Sequence, residues 1–365
     1  MMELNCLCDI YSGYAFKSFN DTSDGIPVIK IGNISSDGTI ELTDCVYTEE
    51  VPKEKYYSKK DDIYIALSGA TTGKIGVMQT DGLYVINQRV GIIRNKGKIP
   101  NDYLKYFLVS KSNQILKEAS GCAQPNISPK QISKYDISIQ TEEKMLLITQ
   151  QLKKIEVILQ NYRNQIDLLD ELVKARFVEL FGDIISNDKN WNSKPLKELC
   201  DISRGASPRP ISDYLGGTIP WIKIGDATIG DSIYINSTKE HIIKEGVRKS
   251  RFIKKGSLIF ANCGVSLGFC RIINFDGCIH DGWLAFQNID TSLNKIFLLT
   301  TINQMTGYFR KIAPGGTQPN LNTDIVGNYI QVVPPIELQN QFADFVKEVD
   351  KSRFIIKSMI KEGLL

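Results

Sequence analysis

The sequence predicts an α/β (α+β) protein in which two similar globular domains are separated by two long helices that pair as an antiparallel coiled coil. Three observations lead to this prediction. The chain repeats itself at an offset of 192–195 residues, each copy begins with β-rich runs, and each copy ends in a helix with heptad spacing. A duplication of this length predicts a pseudo-twofold internal repeat of whole domains, because the period is far too long for a solenoid.

Four short segments carry the repeat, and they recur in the same order. The matched pairs are Cys8–Ile10 with Cys200–Ile202, Ile26–Asn33 with Ile219–Asp226, Ala66–Gly69 with Ala261–Gly264, and Gln124–Ile127 with Gln318–Leu321. Between these segments the copies diverge, and residues 46–60 share almost nothing with residues 240–255. A retained scaffold with diverged connections indicates two different working surfaces.

Runs of Val, Ile and Tyr interrupted by Gly, Asp and Asn predict strands and turns in each copy. The predicted strands are Val28–Ile31, Ile63–Ala66, Gly76–Met78, Val90–Ile93 and Tyr135–Ile139 in the first copy, and Tyr329–Val333 in the second. A helix is predicted before the last strand of each copy, since Leu104, Leu108 and Ile115, and likewise Leu298, Ile302 and Phe309, fall on one face.

Each copy ends in a long helix, predicted over residues 142–181 and 336–362, with apolar residues stepping by three and four. The first seam is Met145, Ile148, Leu152, Ile155, Leu159, Tyr162, Ile166, Leu169 and Val173; the second is Phe342, Val346, Val349, Ile356 and Ile360, with Arg353 interrupting it. So narrow a seam predicts burial against another helix, and the intervening domain lets the two helices pair antiparallel. The alternative is that each helix packs on its own domain as an ordinary amphipathic helix.

These patterns divide the chain into four parts. We predict a first globular domain over residues 1–140, a first long helix over 141–184, a second globular domain over 185–334 and a second long helix over 335–365.

Composition narrows the function classes. The net charge of +3 permits a nucleic-acid partner without requiring one. No apolar run is long enough to cross a bilayer, and the first eleven residues lack a signal-peptide pattern, so a cytoplasmic protein is expected. The eight cysteines and two histidines lack the paired spacing of zinc ligands, which predicts free thiols and no metal site.

The sequence also lacks the catalytic loop of a DNA methyltransferase and the glycine-rich motifs that bind dinucleotides or nucleoside triphosphates. Pro334 and Pro335 stand between Val333 and Ile336, so they do not form the (Asn/Asp/Ser)-Pro-Pro-(Tyr/Phe) loop of a methyltransferase. No GxGxxG turn is present, and the segment Gly69–Lys74 is one residue short of a Walker motif and is followed by isoleucine. A non-catalytic protein is therefore expected.

Two divergent domains alternating with two heptad helices resemble the specificity subunits of Type I restriction–modification systems. Ile219–Asp226 is similar to that family's IPWIxxGD segment, Asp62–Gly73 to its GDILIxxSGxTxG segment, Gly316–Leu321 to its GxTQPNI loop, and Val333–Gln339 to its PPLxEQ segment. The first copy has Gln140 and Thr141 in place of the two prolines, and Asn262–Ser266 departs from Ser-Gly-x-Thr in the second.

The resemblance implies that each domain is a target recognition domain that reads one half of a split DNA sequence. It also implies that the helices dock modification (methyltransferase) subunits, and two such subunits are expected. A restriction (translocase–nuclease) subunit would then join the complex. S-adenosylmethionine, ATP and Mg²⁺ then belong to those partners, with no cofactor in this chain. The alternative is a protein-interaction scaffold of two modules that does not bind DNA.

Candidate DNA contacts are small polar and basic residues. They are Lys30, Ser68, Thr71, Thr72 and Lys74 in the first copy, and Arg204, Arg209, Lys223, Arg248, Lys249 and Arg251 in the second. Each group has a structural alternative: a tight turn for residues 68–74, a solvated surface for the arginines, and lysines that simply point out of a strand. The paired Gln124 and Asn126, and Gln318 and Asn320, either read bases or shape a loop through side-chain hydrogen bonds to the backbone.

Overall fold

The computed structural model describes residues 1–21, 24–119, 125–227, 233–314 and 320–362. The chain divides into two compact units, Met1–Gln160 and Asn161–Leu365. Within the described ranges no helix is both long and apolar enough to cross a membrane.

The described residues of the first unit form nine short strands and the helices that cover them. The strands are β1 (Met2–Glu3), β2 (Cys8–Ser12), β3 (Ile26–Ile29), β4 (Val46–Thr48), β5 (Ile63–Ala66), β6 (Ile75–Val77), β7 (Val85–Ile86), β8 (Val90–Asn95) and β9 (Asp136–Ile137). The helices are α1 (Asn101–Ser110), α2 (Ser112–Ala119), α3 (Pro129–Ile132) and α4 (Glu142–Phe181), which continues into the second unit. One sheet has the antiparallel order β2-β8-β5-β6, and a smaller sheet, β4-β3-β7, pairs β3 with β7 in parallel.

Strand β5 is buried on both faces and holds this unit together. Ile63 and Ile65 pack with Leu104 and Ile115 of α1 and α2, whereas Tyr64 on the other face packs toward the smaller sheet. Side chains of a strand alternate between faces, so one four-residue segment serves two cores. This explains why the sequence here is a continuous apolar run.

The second unit repeats this plan. The strands are β10 (Asn192–Pro195), β11 (Asp201–Arg204), β12 (Leu215–Ile222), β13 (Tyr234–Ile235), β14 (Glu240–Ile242), β15 (Arg251–Ile253), β16 (Leu258–Ala261), β17 (Cys270–Ile273), β18 (Gly277–Ile279), β19 (Trp283–Gln287) and β20 (Ile330–Val333). The helices are α5 (Leu196–Leu199), α6 (Lys244–Val247), α7 (Lys295–Gln304), α8 (Thr306–Ile312), α9 (Thr323–Gly327) and α10 (Ile336–Glu362).

The predicted α/β class with two repeated domains is confirmed by the strand order. The order β2-β8-β5-β6 of the first unit corresponds to β11-β19-β16-β17 of the second, and the parallel pair β3–β7 corresponds to β12–β18. The repeated segment around Gly32 and Gly225 is a short 3-10 turn in both units. Its last polar side chain accepts a 2.8 Å hydrogen bond from a lysine amide, Asn33 from Lys30 and Asp226 from Lys223.

In the second unit the end of α4 packs against α10 through aromatic rings. The ring centroids of Phe177 and Phe181 lie 5.4 and 5.6 Å from that of Phe342, and both rings also contact Phe297 of α7. Farther along, Arg353 of α10 forms an ion pair with Asp170 of α4. Residue numbers fall along one helix as they rise along the other, so this part of the pair is antiparallel, as predicted.

The structure places the predicted seam in two different environments. In the second unit Phe342, Val346 and Val349 are buried, and the remaining seam positions are partly buried: Tyr162, Ile166, Leu169, Val173, Ile356 and Ile360. In the first unit Met145 packs into the core of its own domain, which is the alternative packing at that end. Beyond it Ile148, Leu152 and Leu159 are half-buried, and Ile155 is 45% exposed.

Arg353 is part of the seam rather than an interruption of it. The residue is only 8% exposed, and its guanidinium forms ion pairs with both Asp170 and Asp350. A buried charge is tolerated when it is paired in this way, and such groups favour one register of a helix pair over others.

Two phenylalanines of α10 offer a direct test of this packing. Phe342→Ala removes a fully buried ring and should lower the free energy of unfolding by about 3–5 kcal/mol, whereas Phe354→Ala, at a position 74% exposed, should change it by less than about 0.5 kcal/mol. Urea titration of both variants followed by circular dichroism measures the difference. Equal losses would contradict the packing described for α4 and α10.

Candidate nucleic-acid interface

Three of the predicted contact residues of the first unit, Thr71, Thr72 and Lys74, lie in the turn between β5 and β6. Gly69 and Gly73 adopt φ of +86° and +85°, a conformation that favours glycine. The Thr72 hydroxyl donates to Gly69 O at 2.7 Å, and Lys74 Nζ donates to Ile34 O at 3.2 Å. Thr72 and Lys74 therefore hold the turn in shape, as the tight-turn alternative expects. Thr71 lies half-buried in the same turn.

Ser68, near the start of the same turn, lines an open cavity of about 460 Å³. The polar side chains that line this cavity are Ser12, Ser68, Gln88, Arg89, Asn126 and Ser128. Gln88 and Arg89 come from the loop between β7 and β8 and are exposed. Sequence reasoning missed both, although a comparison of residues 87–89 with residues 280–282 at the repeat offset would have drawn attention to them.

The two recurring lysines, Lys30 and Lys223, each lie over an aromatic ring. Lys30 Nζ is 4.1 Å from the ring centroid of Phe19, and Lys223 Nζ is 5.0 Å from that of Trp221. Lys223 also forms a 2.5 Å ion pair with Glu240. The charge of Lys223 is therefore balanced within its own unit, which makes it a weaker candidate for a phosphate contact than an exposed arginine.

In the second unit two of the predicted arginines contact the loop between β18 and β19, and a third is bonded to one of them. We call Arg204, Arg209 and Arg251 the arginine cluster. Arg204 Nε donates to the Asp281 carbonyl at 3.0 Å, and Arg209 lies 3.6 Å from the Asp281 carboxylate. Arg251 Nε donates to Arg204 O at 2.8 Å, so it is anchored beside the other two.

Arg248 and Lys249 lie at the end of α6, close in sequence to Arg251. Both are exposed, and Lys249 donates to the Tyr214 hydroxyl at 2.5 Å while lying over the same ring. Ser250 ties this segment to the loop after β11, because its hydroxyl donates to Ala206 O at 2.7 Å. The segments that carry Arg204, Arg251 and the Arg248–Lys249 pair are thus joined by hydrogen bonds.

The loop at the centre of the arginine cluster has defined charge states. Partial burial opposes ionisation of Asp281, but a 2.7 Å hydrogen bond from the Ser207 hydroxyl and the positive charge of Arg204 hold its pKa below the usual value. Burial lowers the pKa of His280, and its Nδ1 accepts a 2.6 Å hydrogen bond from the Gly282 amide. At neutral pH the loop therefore presents an anionic Asp281 beside a neutral imidazole.

The repeated Gln-Pro-Asn segments are described only in part. Asn126 and Asn320 form isolated antiparallel bridges to Ser68 and Cys263, so the equivalent backbone is anchored to the same strand end in both units. This favours the loop-shaping role for the two asparagines. Gln124 and Gln318 lie outside the described residues.

Metal ligation and thiol chemistry receive little support from the described part of the chain. No group of three or more His, Cys, Asp or Glu side chains within those ranges is arranged to hold a metal ion. Burial raises the pKa of the recurring Cys8 and Cys200 thiols to about 12, so both are protonated at neutral pH.

Two curated proteins of Methanocaldococcus jannaschii are similar to this chain. The specificity subunit of the Type I restriction enzyme MjaIX is 26% identical over 185 residues, which are 49% of this chain and 43% of that protein. The specificity subunit of the Type I restriction enzyme MjaVIII is 20% identical over 326 residues, or 82% of this chain and 75% of that protein. The chain thus aligns with less than half of the first relative's length.

Solved structures share the fold. The crystal structure of a Type I restriction–modification system S subunit from M. genitalium has a TM-score of 0.56 at 15% identity, covering 100% of this chain and 92% of that one. A chain from a structural study of complex assembly and conformational transition of the type I R-M system gives 0.54 at 17% identity, covering 100% and 95%.

The family model described as the Type I restriction modification DNA specificity domain matches the chain twice, over residues 1–174 and 188–365. The two matches follow the internal repeat, and together they take in nearly the whole sequence. The protein therefore belongs to the family of Type I restriction–modification DNA specificity subunits.

Proposed function

We propose that this chain is the DNA-reading specificity subunit of a Type I restriction–modification complex, and that it recognises an asymmetric target made of two separate half-sites. The observation that carries the proposal is a scaffold present twice with different surface chemistry. The two units share one strand order, but the second carries the arginine cluster. At the position of Arg204 the first unit has Ser12. Two readers that differ in this way suit two different half-sites.

The arginine cluster supports duplex binding by the second unit. Arginine forks match phosphate oxygens and guanine edges, and exposed basic residues steer a polyanion toward the surface. Arg209 is 83% exposed, and Arg248 and Arg251 are exposed as well. In this proposal Arg248 and Lys249 contact phosphates, while the residues nearer Asp281 lie closer to the bases.

The long helices supply the docking surface for modification subunits in this proposal. Although α4 and α10 each bury part of their apolar residues, both leave others exposed. On α4 these are Leu146, Leu147, Ile155, Val157, Ile158, Leu168, Leu172 and Val178, and on α10 they are Phe354, Ile355 and Met359. Exposed apolar side chains at this density are typical of a protein–protein interface. Two modification subunits and one restriction subunit are the proposed partners.

Catalysis is assigned to those partners. Methyl transfer with S-adenosylmethionine and DNA translocation and cleavage with ATP and Mg²⁺ would take place on the modification and restriction subunits. The role of this chain is to place them on one DNA sequence. Cytoplasmic location follows from that role as part of the same proposal.

Salt dependence tests the electrostatic part of the proposal. Duplex affinity should fall steeply with salt, because each phosphate contact adds about −0.9 to the slope of log K against log salt concentration. Arg248→Ala should reduce the magnitude of that slope by about 1 and weaken all sequences alike. Fluorescence anisotropy with labelled duplexes measures both effects. Arg163→Ala, which removes an exposed arginine of α4, is the matched control and should leave the slope unchanged.

Methylome mapping tests the division of labour between the units. Cells that carry this gene with its modification and restriction partners should show one split methylated motif, which is lost when the gene is deleted. Replacing residues 1–140 with the first domain of another family member should change one half of the motif only. A motif unaffected by deletion of the gene would refute the proposal. A swap that alters both halves would refute the separate reading of half-sites.

A further inference from the structure

One loop has the same backbone in both units but different side chains. In the first unit it is Asn87–Arg89, between β7 and β8; in the second it is His280–Gly282, between β18 and β19. The sequences Asn-Gln-Arg and His-Asp-Gly share no residue. A conserved backbone with changed side chains is what two readers of different DNA sequences require.

Five main-chain hydrogen bonds of 2.7–3.2 Å recur in both loops, in addition to one from Gln88 N to Tyr14 O in the first unit. They are Gly13 N to Val90 O and Gly205 N to Trp283 O; Tyr14 N to Ile86 O and Ala206 N to Ile279 O; Leu67 N to Arg89 O and Asn262 N to Gly282 O; Asn87 N to Ile29 O and His280 N to Ile222 O; Val90 N to Asn87 O and Trp283 N to His280 O. Each loop is thus anchored to three separate segments, which fixes its geometry before any ligand binds.

Glycine is needed where the chain passes closest to each loop. A Cβ on Gly13 would lie 2.3 Å from Ile86 O, and a Cβ on Gly205 would lie 2.1 Å from His280 O. Real Cβ atoms do not approach a carbonyl oxygen so closely, so a side chain at either position would push the loop away. The same steric constraint therefore operates at the same place in both units.

The first residue of each loop does the same structural job with a different side chain. Asn87 Oδ1 accepts a 3.1 Å hydrogen bond from the Arg89 amide, and His280 Nδ1 accepts one of 2.6 Å from the Gly282 amide. Both side chains fold back onto the amide two residues on, as in an Asx turn. This leaves Gln88 and Arg89 in the first unit, and Asp281 in the second, as the variable side chains of the loop.

An arginine reaches this place in both units, but from different elements. In the first unit it is Arg89 of the loop, which lines the cavity together with Ser12 at the end of β2. In the second unit the residue equivalent to Arg89 is Gly282, and the residue equivalent to Ser12 is Arg204, whose Nε donates to Asp281 O. Each unit thus has a guanidinium near the loop, but it belongs to the loop itself in the first unit and to β11 in the second.

We propose that these two loops read bases, with Arg89 selecting a guanine in one half-site and Asp281 selecting a cytosine in the other. The inference rests on the proposed function and assigns base contacts within it. An exposed guanidinium can donate two hydrogen bonds to guanine O6 and N7, and an ionised carboxylate can accept one from cytosine N4. A carboxylate is repelled by phosphates, so its place inside an arginine cluster suits a base edge better than the DNA backbone.

Arg89→Lys separates base reading from simple attraction to phosphate. Lysine keeps the positive charge but lacks the planar two-donor fork of arginine. In the full chain assembled with its partner subunits, this variant should reduce the preference for guanine at one position of one half-site by about tenfold or more, and Arg89→Ala should do the same. Methylome mapping and competition with duplexes altered at that position measure the change.

Asp281→Asn makes the corresponding test in the second unit. Replacing the carboxylate by an amide of similar shape should relax the preference for cytosine in the other half-site by a similar factor. Asp276→Asn is the matched control. Asp276 lies in the turn between β17 and β18, forms an ion pair with Lys254 and takes no part in the loop. The control should leave both half-sites unchanged.

The outcomes separate this inference from the proposed function. A wild-type complex without any sequence preference would overturn both. A split motif that both Arg89 variants leave intact, or one that only Arg89→Ala relaxes, would overturn the base-reading role of Arg89 while leaving the proposed function standing. If Arg89→Lys and Asp281→Asn relaxed the same half-site, the assignment of one loop to each half would be wrong.

Discussion

The close approach of two backbone segments at a glycine is the constraint on which the rest of each unit depends. Gly13 follows β2 and Gly205 follows β11. At each glycine the chain runs against a loop, the one before β8 in the first unit and the one before β19 in the second. The contact joins the larger sheet to the smaller, since the loop is also bonded to Ile29 in one unit and to Ile222 in the other. A sheet edge and a surface loop thereby become one rigid piece.

Rigidity of this kind matters because base reading is sensitive to small displacements. A side chain that must meet a base edge within hydrogen-bond distance gains from a backbone that is ordered before binding. The residues beside the loops divide into two kinds by this measure. Thr72 and Lys74 donate hydrogen bonds to carbonyl oxygens of their own unit, whereas Arg209 and Gln88 remain exposed at the surface.

Much of the fold could be predicted from the sequence because it depends on patterns that repeat. The offset between copies, the continuous apolar run of β5 and the three-and-four spacing of the helices each reflect burial, which leaves a periodic trace. The environments of Met145 and Arg353 leave no periodic trace in the sequence. Met145 packs in a domain core with residues distant in the sequence, such as Leu4, and Arg353 is paired with Asp170, 183 residues away in the chain. Loop residues such as Arg89 follow no period, so burial patterns do not mark them, and only a comparison of the two copies with each other singles them out.

The exchange of Arg89 and Arg204 bears on how one scaffold acquires two specificities. In one unit the arginine sits on the loop and a serine sits on the neighbouring strand; in the other the strand carries the arginine and the loop carries glycine. A Cβ on Gly282 would lie 2.2 Å from the His280 ring, so a side chain there requires the ring to leave the position in which it accepts the hydrogen bond from the Gly282 amide. The turn-forming residue and the element that supplies the guanidinium therefore differ together between the two units. The backbone stays the same, and the approach of the charged group to DNA differs between the two units.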